Sequence, residues 1–307
     1  MELRAKLGIA PIAWSNDDLP QLGGETSLET CLAESRLAGF QGVETGGKFP
    51  KTSNVLHPLL QDYQLELVSG WYSGTLLDST VQEEIKKSLP QMQLFRECGA
   101  ACLVYGETAG TIQNKQNMPL AQRRRLSDEQ IIEYGEKLSQ FAAFCTDFGV
   151  PLSFHHHMGT AIEDENDIDR LMAATRKEVG LLFDAGHLVF AGADPVRVIE
   201  NHGHRINHVH TKDVRSNVLA TLDWNKDSFL DAVLKGIYTV PGDGSIDFNL
   251  IVSKLAQVGY QGWFVVEAEQ DPDKAPPLEY ACIGFKSLQK ALVSAGYDLA
   301  PSPLSVL

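Results

Sequence analysis

Four residues with metal-binding side chains stand at the ends of short apolar runs in the second half of the chain: His155, Asp184, His210 and Glu267. Side chains alternate between the two faces of a strand, so the apolar residue before each of them faces the opposite way. Two carboxylates buried together are costly unless a cation neutralises them. Imidazole and carboxylate ligands suit Mn²⁺, Co²⁺, Fe²⁺ or Zn²⁺. The pattern therefore predicts a divalent-metal site, provided that the fold brings the four strand ends together.

The sequence does not decide which histidine completes this site. The fifth apolar run ends in three consecutive histidines, and alternation places both His155 and His157 on the inner face. His155 is the predicted ligand, and His157 is the alternative.

The elements that must position these residues follow a repeating pattern. Short apolar runs alternate with segments of helical period, without a hairpin signal between them, which predicts parallel strands joined by helical crossovers. The predicted strands span residues 7–13, 42–45, 65–70, 101–105, 151–155, 180–184, 206–210 and 263–268. Eight such units favour a closed α/β barrel, a (β/α)8 TIM barrel, over an open sheet.

A single domain over residues 1–307 is predicted, because no linker divides the chain before its Pro/Ser-containing tail. The connections 107–126 and 213–244 are long, the second with a small helix predicted at 227–235. Both follow strands and are expected at the C-terminal face of the barrel, where active sites of this fold lie. They are therefore candidate lids.

Composition excludes several classes of partner. The formal net charge is −14, so the chain lacks the basic footprint of a nucleic-acid-binding protein. Arg123, Arg124 and Arg125 form a local exception, interpreted as a solvated approach to a helix or, alternatively, an anion or subunit contact. No apolar run reaches the roughly 20 residues of a membrane span. Five scattered cysteines without CxxC pairs indicate a reduced, cytoplasmic protein.

Three segments carry a family resemblance: 183–187 (FDAGH), 208–213 (HVHTKD) and 266–269 (VEAE). They resemble the xylose isomerase-like TIM barrels. Five further segments are more similar to the inosose dehydratases within that group, so that the resemblance extends from Ile9 to Pro272. These segments are 9–17 (IAPIAWSND), 42–46 (GVETG), 154–160 (FHHHMGT), 240–244 (VPGDG) and 267–272 (EAEQDP). The wider group usually has Glu where this chain has His155, which replaces an anionic ligand by a neutral one.

The resemblance implies a lyase of inositol catabolism that dehydrates 2-keto-myo-inositol to 3D-(3,5/4)-trihydroxycyclohexane-1,2-dione. It also implies Mn²⁺ or Co²⁺ as the metal, with Zn²⁺ or Fe²⁺ as alternatives, and stimulation by glutathione. A ketose or inosose epimerase or isomerase is the first alternative, since it shares the metal-stabilised enolate. An endonuclease-like hydrolase is disfavoured by the charge, and a polyol-binding barrel without turnover is a further alternative. Whether the chain forms a homo-oligomer stays open.

Dehydration needs a base for the α-proton and an acid for the departing hydroxyl. The candidates for proton transfer are His157, His187 and Glu44, although His187 could instead orient a ligand and Glu44 could bind substrate hydroxyls. Lys212 could neutralise enolate charge or form a salt bridge.

The five candidates for substrate binding come from predicted strand ends and loops. Trp14 and Trp71 could form walls for the substrate ring. Glu269 faces inward by alternation, Asp213 follows the seventh strand, and Gly242 could let the backbone approach a polyol.

Overall fold

Eight parallel strands form a closed barrel in the computed structural model, which describes residues 3–299. The barrel strands, numbered in chain order, are β1 (Leu3–Ile9), β2 (Gly42–Thr45), β3 (Glu66–Gly74), β4 (Leu103–Glu107), β5 (Leu152–His155), β6 (Gly180–Asp184), β7 (Ile206–His210) and β10 (Gly262–Val266). Each strand pairs with the next, and β10 pairs with β1 to close the sheet. The TIM barrel predicted from the sequence is confirmed.

Helices connect the strands and cover the outside of the barrel. They are α1 (Leu28–Ala38), α2 (Ser53–Asp62), α3 (Val81–Cys98), α4 (Asp128–Phe148), α5 (Glu165–Ala174), α6 (Ala185–Phe190), α7 (Pro195–His202), α8 (Ser216–Leu219), α9 (Phe229–Leu234), α10 (Phe248–Gln257) and α11 (Pro277–Ser294). The local sequence explains where α4 begins and ends. Ser127 and Gln130 form a reciprocal capping box at the start of α4, and Gly149 ends that helix at φ +92°.

The predicted bounds of the first strand are wrong at both ends. The sequence predicts a strand over 7–13, whereas β1 ends at Ile9 and Pro11–Ala13 form a 3₁₀ turn. Proline has no N–H to donate to a neighbouring strand, and its fixed φ suits the first position of a helical turn. This turn redirects the chain before Trp14, with consequences for the site.

Three short strands were not predicted. Inside the 213–244 connection, β8 (Asp213–Val214) and β9 (Tyr238–Thr239) pair antiparallel, and α9 begins and ends one or two residues inside the helix predicted at 227–235. After α11, β11 (Tyr297–Leu299) pairs with the outer start of β1. Strands of two or three residues are too short for alternation to be visible in the sequence. The Pro/Ser-containing tail lies outside the described residues.

Apolar side chains fill the layer between strands and helices, while the barrel interior changes character along its axis. Near the N-terminal ends of the strands the interior holds apolar residues, among them Val68, Trp263 and Val265. Toward the C-terminal ends the inward positions become polar and include His155, Asp184 and His210, all buried. The polar layer lies where the long connections begin.

The sequence suggested that Arg123, Arg124 and Arg125 form a solvated approach to a helix, but Arg123 is buried in the structure. The Arg123 side chain is 1% exposed and pairs with Glu163 at 3.0 Å and with Asp164 and Asp167 at 2.7 Å each. Of the three arginines, only Arg125 has a side chain that is mostly exposed to solvent, at 66%, as the sequence predicted. Arg123 thus ties the 107–126 connection to the start of α5.

All five cysteines are free thiols. Within residues 3–299, none of the helices combines the length and apolar character needed to cross a membrane.

Candidate metal centre and active site

The four predicted ligands come together at the C-terminal mouth of the barrel. His155 Nε2 lies 3.7 Å from Asp184 Oδ2, and His210 Nδ1 lies 3.5 Å from the same oxygen. His210 Nδ1 is also 2.5 Å from Glu267 Oε2. One ligand atom from each of the four residues falls within 4.8 Å of the others. Strands β5, β6 and β7 and the residue after β10 therefore direct two imidazoles and two carboxylates to one point.

The donor atoms of this cluster fit a bound cation. Asp184 Oδ2 is buried and has no hydrogen-bond partner, while its nearest ring nitrogens are those of His210 at 3.5 Å and His155 at 3.7 Å. Buried polar atoms are rarely left without a partner unless an ion or water satisfies them. Burial would lower the pKa of the His210 imidazole, yet Glu44 and Glu267 hold that pKa well above its usual range. The surplus of negative charge that causes this shift would also attract a divalent ion.

The remaining ring nitrogens of the two histidines have partners that fix their orientation. His155 Nδ1 lies 2.5 Å from the His156 carbonyl oxygen, so this nitrogen carries the proton and Nε2 is the free donor atom. His210 Nε2 lies 3.1 Å from Glu44 Oε1, which leaves Nδ1 for the cluster. Metal-ligating histidines usually have such a partner on their second nitrogen.

Glu44, at the end of β2, is held as a carboxylate. Burial would raise its pKa, but His210 and His208 lower it to about 2. Its Oε1 also accepts a hydrogen bond from Ser69 at 2.5 Å. Glu44 lines the cavity as well, so the structure places it next to both a predicted ligand and the space for substrate.

A second group of polar side chains lies directly behind Glu267. Lys212 is fully buried, and its Nζ lies 2.7 Å from Glu267 Oε1, 2.9 Å from Glu269 Oε1 and 3.0 Å from His187 Nε2. Burial would lower the pKa of Lys212, but the two glutamates raise it well above its usual range, so the ammonium stays charged. Neither Lys212 nor His187 is among the described residues that line the cavity.

His157 and Glu269 face the cavity beside the ligand cluster. Burial and the nearby Lys212 lower the pKa of His157 to about 3, so its imidazole is neutral. Its Nδ1 lies 2.8 Å from the Met158 carbonyl oxygen, and the centre of its ring lies 3.9 Å from that of His187, with the two rings tilted by 43°. Burial raises the pKa of Glu269 to about 7 against the opposing charge of Lys212.

The cavity has a volume of about 550 Å³ and opens onto the ligand cluster. Trp71 forms part of its wall, with its ring 5.6 Å from both His155 and His157. The 107–126 connection contributes residues from Thr108 to Lys115, as expected of a lid candidate. In the described chain, the 213–244 connection does not line the cavity; it packs Phe229 and Tyr238 against His187 instead.

Three residues predicted to bind substrate lie away from the cavity. Trp14 follows the 3₁₀ turn, is 1% exposed and donates from Nε1 to Glu34 of α1 at 2.6 Å. Asp213 is buried and accepts from the backbone N–H groups of Val214, Gly244 and Ile246, so it organises a turn. Gly242, at φ +95°, packs on Ser287 of α11.

Several cavity residues were not singled out from the sequence. They are polar loop residues with no strand or helix to give them a period: Ser15, Asp17, Asp18, Thr111, Gln113, Asn114 and Lys115. The only available signal was that residues 15–17 fall inside a segment of family resemblance.

Fold and site together define a TIM barrel with a buried cluster of potential metal ligands at its catalytic face. The model of the xylose isomerase-like TIM barrel family matches residues 32–298. The chain belongs to this family.

Its relatives include proteins with closely similar sequences. It is 48% identical to the rhizopine catabolism protein MocC of Rhizobium meliloti, over 96% of this chain and 91% of that protein. It is 44% identical to an inosose dehydratase of Geobacillus thermodenitrificans, over 91% of this chain and 95% of that one.

Solved structures with a similar fold are more distant in sequence. The IolI protein, described with a bound zinc atom, has a TM-score of 0.66 at 16% identity and covers 94% of this chain and 97% of its own. The probable 3-DHS dehydratase AsbF of Bacillus anthracis has a TM-score of 0.63 at 14% identity, over 92% of this chain and 98% of its own. At these identities the likeness bears on the fold alone.

Proposed function

We propose that this chain is a metal-dependent hydro-lyase that dehydrates 2-keto-myo-inositol to 3D-(3,5/4)-trihydroxycyclohexane-1,2-dione. One observation carries the proposal: a buried carboxylate oxygen without a hydrogen-bond partner, Asp184 Oδ2, lies in a four-residue cluster of potential metal ligands at the barrel mouth. Support comes from the 44% identity to an inosose dehydratase along almost the whole of both chains.

The metal would be held by His155 Nε2, Asp184 Oδ2, His210 Nδ1 and Glu267 Oε2. When bound there, a divalent ion would polarise the ketone and stabilise the negative charge that develops as the α-proton leaves. Two carboxylates balance the charge of such an ion, so it keeps more Lewis acidity than it would with three. The proposal favours Mn²⁺ or Co²⁺, with Zn²⁺ or Fe²⁺ as the next candidates.

Proton transfer is assigned to side chains that reach the cavity. His157 is neutral, and with Nδ1 engaged by the Met158 carbonyl its Nε2 is the nitrogen free to take or give a proton. Glu269 faces the same space and is the second proton-transfer group. His187 and Lys212 lie behind these two residues and are assigned to supporting them. Glu44 orients His210 and accepts a hydrogen bond from a substrate hydroxyl.

Substrate binding is assigned to two sides of the cavity. Trp71 offers an aromatic surface to the C–H face of the ring. Asp17 and Asp18, on the loop after β1, and Gln113, on the loop after β4, offer hydrogen bonds to ring hydroxyls. The two loops would thus close around a small cyclic polyol.

The decisive test is an assay of the purified protein with 2-keto-myo-inositol and, separately, with ketohexoses. Appearance of the conjugated dione, its loss on chelation and its return with Mn²⁺ or Co²⁺ are the expected results. Interconversion of ketohexoses without dehydration would replace the proposal by an epimerase. Full activity after exhaustive metal removal would reject the metal-dependent mechanism.

Three finer points belong to the same proposal. A reduced, cytoplasmic setting in inositol catabolism agrees with five free thiols. Stimulation by glutathione is tested by adding it to the assay after metal loading. A homo-oligomer is tested by light scattering of the purified protein.

A further inference from the structure

We propose that Lys212 is a positioning residue that restricts Glu267 to a single ligand oxygen, by holding Oε1 so that only Oε2 is offered to the metal. This inference rests on the proposed metal site and assigns a positioning role to one residue beside it. It concerns the number of ligand atoms that the protein supplies.

The two carboxylate oxygens of Glu267 face different partners. Oε1 lies 2.7 Å from Lys212 Nζ, on the side away from the cluster. Oε2 lies 2.5 Å from His210 Nδ1, on the side of the other predicted ligands. A carboxylate can bind a metal through one oxygen or through both. With Oε1 held by a charge-assisted hydrogen bond, binding through Oε2 alone is the mode that this geometry favours for Glu267.

Lys212 is itself fixed in place by three acceptors. An ammonium has three donors and no acceptor, and Nζ has Glu267, Glu269 and His187 within 3.0 Å. Lys212 can only donate, so it is the donor toward His187 Nε2, and the other ring nitrogen, Nδ1, lies 3.3 Å from the backbone N of Met158. That nitrogen lies 3.0 Å from the Tyr238 hydroxyl. The lysine cannot rotate away from Glu267 without breaking a complete set of hydrogen bonds.

The packing around the lysine stem supports the same role. Lys212 Nζ lies 4.5 Å from the centre of the Tyr238 ring, so its face also stabilises the charge. On the other side is Gly186, where a Cβ would lie only 2.6 Å from Lys212 Cγ. Because Gly186 has no side chain, the aliphatic part of Lys212 fits between α6 and the end of β7.

Single-oxygen ligation has a consequence for chemistry. A site with four protein donor atoms keeps coordination positions free for substrate oxygens, whereas a bidentate Glu267 would fill one of them. The adjacent ammonium also draws electron density from the carboxylate, so Glu267 donates less to the metal and leaves it more acidic.

The test uses the Co²⁺-loaded full-length enzyme and the variant Lys212→Met. Freed from the lysine, Glu267 is expected to bind through both oxygens, and the higher coordination number lowers the intensity of the visible Co²⁺ absorption. Stoichiometric Co²⁺ should be retained, while kcat falls by about 10- to 100-fold, as is usual when a residue supporting a ligand is lost. Lys226→Met, at an exposed lysine, is the control and should change neither property.

A second variant guards against misfolding and against a simple charge effect. Lys212→Met combined with Glu269→Gln removes the lysine together with its second carboxylate partner, so Glu269 is not left facing a missing ammonium while Glu267 Oε1 is still freed. The same loss of Co²⁺ absorption is expected. A wild-type Co²⁺ spectrum in either Lys212 variant, or wild-type kcat in Lys212→Met alone, would overturn the inference. If the wild-type protein itself bound no metal, the proposed function would fall, which metal analysis shows separately.

Discussion

His155 and His157 are two residues apart and both reach the mouth of the barrel, but their partners differ. His155 Nε2 is 3.7 Å from Asp184 Oδ2, inside the ligand cluster. His157 instead packs against the ring of His187 and faces the cavity. The geometry thus favours His155 as the ligand, the choice that alternation alone could not make.

Separate substitutions of these histidines should therefore have separate effects. His155→Ala is expected to lower metal affinity by a large factor, because it removes a donor atom from the cluster. His157→Ala is expected to retain stoichiometric metal and to lose turnover. Metal analysis after gel filtration, together with the dehydration assay, distinguishes the two. Loss of metal from the His157 variant alone would assign the fifth-strand ligand to His157.

Glu107, at the end of β4, should make stability fall with rising pH. Burial raises the pKa of its carboxyl group to about 7 against the hydrogen bonds it accepts from Ala109 N and Tyr105. Its phenolic neighbours Tyr105 and Tyr134 have pKa values well above 10 and stay neutral. A pKa raised on folding gives stability that is complete below the unfolded value near 4.5 and is lost as pH rises through about 7. This loss amounts to about 3 kcal/mol.

Glu107→Gln should accordingly flatten the decrease in unfolding free energy between pH 5 and pH 8. Urea unfolding at several pH values measures the slope. Glu133→Gln, at a carboxylate whose side chain is 72% exposed, is the matched control and should keep the wild-type slope. An unchanged slope in the Glu107 variant would show that its carboxyl group ionises normally.

At the residue scale, the sequence predicts those side chains that lie on strands. Alternation turns His155, Asp184 and His210 toward the point where the structure brings them together, because a strand has a strict period of two. It says nothing about Trp14 or Gly242, since a proline turn and a loop carry no period. Lys212 was noted for its charge, but its contacts to Glu267 and Glu269 depend on tertiary packing between β7 and β10.

At the element scale, the 107–126 connection is attached to the loop that carries His157. Ile112 N and the Thr111 hydroxyl both donate to the Gly159 carbonyl oxygen, each at 3.0 Å. Farther along the connection, Arg123 reaches Glu163 and Asp167. The lid candidate is therefore fixed at two points, with its cavity-lining residues near the first.

Arg123→Met should destabilise the protein strongly and loosen this connection. It leaves the buried carboxylates of Glu163 and Asp167 without their cation, which costs about 3–5 kcal/mol. A higher KM for substrate is also expected, because Thr111 to Lys115 would be held less firmly. Chemical denaturation and steady-state kinetics measure the two effects.

Arg125→Met is the matched control for that substitution. Its side chain is 66% exposed and lies 3.6 Å from Asp164, so its loss should cost less than about 1 kcal/mol. Equal stability of the two variants would show that the Arg123 ion pairs do not anchor the connection.

The predicted element boundaries are accurate where sequence period and capping agree. Strands β2, β6 and β7 have the predicted bounds, and Asp194 caps the start of α7 with Pro195 at its first position. The error at β1 has a local cause in Pro11. The two-residue strands β8 and β9 depend on contacts between distant parts of the 213–244 connection, which no short window of sequence contains.

At the scale of the whole molecule, the ligand cluster joins residues that are up to 112 positions apart, from His155 to Glu267. Only the closed barrel brings these residues within reach of one ion, so a metal should bind the folded chain much more tightly than the unfolded one. By linkage, an ion at 100 times its dissociation constant then stabilises the fold by about 2.7 kcal/mol.

Thermal unfolding should therefore shift upward with Mn²⁺ or Co²⁺ and downward with a chelator, in parallel with activity. Asp184→Asn is the informative comparison, because it keeps the shape of the site but removes one of the two charges that hold the cation. Its melting temperature should respond little to the same metal concentrations. A wild-type melting temperature that does not change with metal, at concentrations that saturate activity, would contradict a site assembled from four separate strands of the fold.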